Sequence, residues 1–99
     1  MDLEHASTLA QARSFVAALA DGALNDDASA AFERVLIELD WLHDDESPGL
    51  DTGGLSDDRD VLYLGAAAAI ESLVLFGVDA LDLELLLVRL EAAHALKVH

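Results

Sequence analysis

The stretch Val61–Val88, VLYLGAAAAIESLVLFGVDALDLELLLV, decides how this chain is read. Up to Val78 it carries one charge, Glu71, and after Asp79 and Asp82 the apolar run resumes as Leu83–Val88. Around it lies a 99-residue chain with 20 acidic residues against 5 lysines and arginines, for a formal net charge of −15. Such a run is either a membrane span or two helices of a packed domain. Glu71 inside it, acids on both flanks and no basic anchor argue against insertion, although Gly65-x-x-x-Ala69 has the spacing of a close-packed membrane pair. Turn chemistry favours the packed reading. Gly77 supplies a stop and Asp79 a fresh N-cap, dividing the run into a helical hairpin.

Outward from the hairpin, everything regular has helical period. Leu9, Ala12, Val16 and Leu19 recur along a first helix that Asp21-Gly22 closes. Phe32, Val35, Leu36, Leu39 and Leu42 line a second, with Asp27 as the expected cap. Ser56 is the expected cap of the third, with Asp57, Asp58 and Asp60 in its first turn, where the helix dipole favours anions. The expectation is a single all-α domain, an antiparallel four-helix bundle with helices at about 3–20, 27–43, 57–76 and 80–97. The acidic stretch 43–60, which holds the only proline, forms its one long loop.

At about 100° per residue, the fourth helix is apolar on two sides. Leu81, Leu85, Val88 and Ala92 form one group, and Leu83, Leu87 and Leu90 the other. The third helix has a small-residue stripe, Gly65, Ala68, Ala69 and Ser72, opposite larger apolar residues. One face of each can serve an internal core, and the other needs company. The expected outcome is a homodimer through helices three and four, with Leu62, Gly65, Ala69, Leu73, Leu83, Leu87 and Leu90 as self-association residues.

Composition restricts function further. With no cysteine there is no thiolate chemistry, and a reducing cytoplasm suits the chain. The N-terminus lacks the basic start of a signal peptide. So few cations disfavour direct contact with a phosphate backbone. The acidity itself fits solubility, a salt-rich cytoplasm or a docking surface for a basic partner. Trp41 with Asp44, Asp45, Glu46, Asp57 and Asp58 are the candidate partner-binding residues. The class expected is a small acidic binding module, an inhibitor, immunity protein or chaperone for a basic protein.

An alternative is a metal-binding bundle. Asp40-x-x-His43 and Glu91-x-x-His94 have the i,i+3 spacing of carboxylate–histidine ligands, with Glu71 on a neighbouring helix, so His43, Glu71, Glu91 and His94 are its candidates. A structural homo-oligomer whose acidity is only solvation is a third reading. No catalytic nucleophile–base pair, cofactor-binding motif or phosphate loop is present in the sequence, so no enzyme activity is expected. Finally, Gly77-Val-Asp79-Ala-Leu81-Asp82 and the leucines after it resemble the recognition helix of acyl carrier proteins, whose motif is Gly-x-Asp-Ser-Leu-Asp. The resemblance implies a prosthetic arm on the serine. Ala80 stands at that position, so the arm has no point of attachment here.

Overall fold

The computed structural model describes residues 3–23, 25–43 and 58–95. Among these it is all-helical: α1 (Leu3–Asp21), α2 (Asp26–Leu42), α3 (Arg59–Ser72) continued by a 3₁₀ turn (Leu73–Phe76), and α4 (Ala80–Ala95). Four helices therefore stand where the periodicity placed them, and the caps explain the differences at their ends.

Asn25, not Asp27, starts α2: its side chain accepts a 2.8 Å bond from the Ala28 amide. Asp26 and Asp27 then sit in the first turn, where the exposed amides favour them. Asp58 caps α3 by accepting from the amides of Asp60 and Val61. The expected cap, Ser56, and Asp57 lie outside the described residues. Asp79 caps α4 as its spacing required, accepting from Leu81 at 2.8 Å and Asp82 at 3.4 Å. Gly77 has φ 90°, the left-handed conformation that a side chain resists, and ends the 3₁₀ turn. α1 ends at Asp21, where Asp21-Gly22 placed its stop, although Gly22 does not take the left-handed conformation of Gly77. A Cβ at Gly22 would lie 2.8 Å from the Arg59 guanidinium, so its smallness admits that side chain beside the end of α1.

In the packing, α1 touches α2 and α3, and α4 touches α2 and α3, leaving α1 diagonal to α4 and α2 diagonal to α3. Side-chain contacts give the directions. His5 at the start of α1 meets His43 at the end of α2 and Phe76 at the end of the 3₁₀ turn. Arg59 at the start of α3 donates to Leu19 O in the last turn of α1. His94 near the end of α4 meets Asp60 in the first turn of α3. Neighbouring helices are thus antiparallel and diagonal ones parallel. His43 and Asp58 consequently lie at opposite ends of the bundle.

Each helix gives one face to the core: Leu9, Ala12, Val16 and Leu19 from α1; Phe32, Val35 and Leu39 from α2; Leu62, Ala66, Ile70 and Leu73 from α3 and its extension; Leu83, Leu86 and Leu90 from α4. Gly65, one residue of the small-residue stripe of α3, receives α1. The Phe15 ring lies so close to Gly65 that an added Cβ would stand 2.8 Å from its tip. Gly65→Val should therefore lower unfolding free energy by about 1–3 kcal/mol through overpacking. The same change at the exposed Ala68, one turn along the helix, should cost under about 1 kcal/mol, its helix propensity alone. Paired denaturant titrations measure both; equal losses at the two positions would contradict the contact.

Candidate interaction surface

The face that α4 turns away from the core carries Leu81, Leu85 and Val88, with exposures of 74%, 55% and 62%. With the exposed Ala92 they follow a 4-3-4 spacing, the seam that a helix offers to another helix. Beside it on α2 stands Trp41, 77% exposed, with the exposed Ile37 one turn earlier on the same helix. A tryptophan that open is unusual, because its large ring is normally well buried. Trp41 and Leu42 of α2 face Leu85 and Leu86 of α4 across a cleft of about 160 Å³. A second, of about 250 Å³, lies nearer the other end, between Ala31 and the Ala92–Ala93 pair. Both are smaller than the roughly 300–1,000 Å³ that enclose a drug-sized ligand, and both are open. They suit single side chains of another macromolecule.

Charges frame this face. Glu38 joins α2 to α4 by accepting from Arg89 at 2.8 Å, and Arg34 approaches the same carboxylate at 3.8 Å. Arg13 is buried and its Nε donates to Asp40 at 2.8 Å, locking α1 to α2. Arg59 bonds Leu19 O and lies over the Phe32 ring, 5.7 Å from its centroid. Arg13, Arg59 and Arg89 are thereby committed to contacts between helices, while the exposed Arg34 only approaches Glu38 along α2. By contrast, Glu33, Asp82, Glu84 and Glu91 are exposed and have no ion-pair partner among the described residues. The apolar seam is bordered by unneutralised acid.

The residues chosen from sequence for self-association lie elsewhere. Leu62, Ala69, Leu73, Leu83 and Leu90 are buried in the internal core, Gly65 lies under Phe15, and Leu87 packs against the core from its edge. Periodicity identified two apolar faces on the last two helices, and the inner one is already occupied. Of the partner-binding candidates, Trp41 and Asp58 are exposed, with Asp58 engaged as the cap of α3. Asp44, Asp45, Glu46 and Asp57 lie outside the described residues.

The metal candidates do not converge. His43 is at one end of the bundle, its Nδ1 donating to Leu39 O at 2.8 Å and its Nε2 2.9 Å from His5 Nε2. His94 is at the other, 3.1 Å from Asp60 and stacked on Tyr63 at 4.4 Å. Glu71 and Glu91 point to solvent. Among the described residues no three His, Cys, Asp or Glu side chains gather to hold an ion. The histidines instead tie helix ends together, which the sequence spacing did not reveal because both partners, His5 and Asp60, lie on other helices.

Among the described residues no helix is long and apolar enough to cross a membrane. No family model matches the chain, and neither a curated protein nor a solved structure is significantly similar to it.

Two outcomes test the assignment of faces. The sole tryptophan, Trp41, should emit close to the free amino acid in water and be quenched readily by acrylamide; a blue-shifted, protected emission would contradict its exposure. Leu85→Asp should leave the fold intact by circular dichroism. Leu86→Asp, one residue away but buried, should cost more than about 3 kcal/mol by placing an uncompensated charge in the core.

Proposed function

We propose that this protein is a small acidic helical binding module whose partner is a basic protein, in the manner of an inhibitor, an immunity protein or an escort. One observation carries the reading: an open apolar seam on α4, with Trp41 beside it, is bordered by carboxylates that have no ion-pair partner among the described residues. Covering leucines of this kind contributes about 1.5–3 kcal/mol each, enough for a few of them to anchor a complex. Surrounding acid adds steering and partner choice, since a basic surface is drawn in and an acidic one repelled. Exposed aromatic residues are common anchors in such contacts, and Trp41 has that position.

A homodimer belongs to this reading only through an outward face, because the inner faces of α3 and α4 are filled. The carboxylate border makes copy-on-copy contact the less favourable use of the α4 seam. A metal-binding bundle draws no support from the side-chain geometry.

The test is isolation of complexes from the native cell, followed by binding measurements with the purified partner. The reading expects a protein of high isoelectric point, bound at defined stoichiometry, with affinity falling as salt rises from about 0.05 to 0.3 M. Recovery of only further copies of this chain, or of an acidic partner with salt-independent affinity, would overturn it.

A further inference from the structure

The geometry points to a particular occupant for the α2–α4 face: an amphipathic α-helix whose apolar stripe is flanked by lysine or arginine. This inference rests on the partner-binding reading and adds which surface is used and what lies on it. Three observations lead there.

The first is the pattern of the seam. Leu81, Leu85, Val88 and Ala92 run along α4 for three turns, roughly 16 Å, at the spacing that interlocks with another helix. Helices laid into apolar grooves are held by anchors at i, i+3 or i+4, and i+7.

The second is the cleft beside the seam. Trp41 and Leu85 stand on its two sides, so a docked helix would lie along α4 and set a side chain between them. The Glu38–Arg89 ion pair holds the two walls together at that point, which keeps the cleft in place before anything enters.

The third is charge, and it selects among occupants. Glu33 lies beside Ile37 and Trp41, Asp82 beside Leu85, and Glu84 and Glu91 follow the far side of α4. The cations of this face, Arg34 and Arg89, are already directed at Glu38. A second copy would bring the same four carboxylates against themselves, in molecules that each carry a net charge of −15. A helix with basic flanks would place its cations over those carboxylates while its stripe covers the leucines. Like charges facing one another across a contact are a strong discriminator against the wrong partner.

The experiment uses the full chain and a synthetic Leu/Lys helix of about fourteen residues, with leucines at 4-3-4 spacing and lysines elsewhere. A scrambled peptide of the same composition serves as control. Binding is followed in about 0.15 M salt by Trp41 fluorescence and calorimetry. The inference expects one peptide per chain, a blue shift of Trp41 emission, and affinity at least about tenfold above the scrambled peptide. Leu85→Asp is the decisive variant. It makes the protein more acidic, so attraction by charge alone would strengthen binding, whereas loss of an apolar seat should weaken it by about tenfold or more. Leu64→Asp, on the outer face of α3, adds the same charge away from the seam and should not weaken binding.

Equal binding of the scrambled peptide, undiminished binding by Leu85→Asp, or no binding tighter than about 100 µM would overturn the inference. So would a wild-type dimer, detected by sedimentation, that Leu85→Asp converts to monomer, since the occupant would then be a second copy. If the native basic partner binds Leu85→Asp as tightly as wild type but loses affinity when Asp44, Asp45 and Glu46 are neutralised, the module reading survives and this surface assignment falls.

Discussion

The seating of Phe15 on the backbone of Gly65 brings α1 against α3 and fixes which way α3 faces. With no side chain at that position, α1 comes close enough to α3 for its Leu9–Leu19 face to meet Leu62, Ala66 and Ile70. That approach covers Gly65, while Ala69 of the same stripe is buried and Ala68 stays exposed. The outward face of α3 is left to Val61, Leu64 and Ala68, while Leu62, Ile70 and, from its 3₁₀ extension, Leu73 enter the core. α4, packed on α3 and α2 but not on α1, has a core contact on one face only. A helix apolar on two sides is thereby left with one side uncovered. The open interaction surface is a consequence of this arrangement.

Electrostatics reinforces the division. A chain with few cations has little freedom in where it spends them. Arg13 joins α1 to α2, Arg89 joins α4 to α2, and Arg59 bonds the last turn of α1, where a positive group complements the helix dipole. Arg34 approaches Glu38 along α2. These contacts orient helices against one another, and their consequence for the surface is as important as their energy. Once they are made, the exterior of the described bundle carries its acid with almost no compensation, and the α4 seam is part of that exterior. The same small set of interactions therefore fixes the bundle and gives its open face a sign.

Much of the fold was legible because it depended on local chemistry. Four periodic segments, Gly77 in the left-handed conformation and Asp79 as a cap could be read directly from spacing. Cap positions at the starts of α2 and α3 were ambiguous for a physical reason: Asn25, Asp26 and Asp27, or Ser56, Asp57 and Asp58, are all competent caps, and tertiary context decides between them. The choice of inner face was ambiguous in a deeper way. Leu83, Leu87 and Leu90 are no more hydrophobic than Leu81, Leu85 and Val88, so composition cannot tell core from surface on α4. The packing of α4 on α2 and α3 does, and it links residues far apart in the chain. His5 with His43 and His94 with Asp60 were hidden for the same reason. The apparent Glu-x-x-His pair was local, but the actual partner of His94 was not.

The most direct measurement is the solvent accessibility of individual leucine and valine methyl groups, read by NMR as a soluble paramagnetic chelate is added. The account predicts strong broadening at Leu81, Leu85 and Val88, with Leu83, Leu86 and Leu90 remaining sharp. Broadening of the second group with protection of the first would show α4 turned over. It would remove the open seam on which the proposed function and its partner depend.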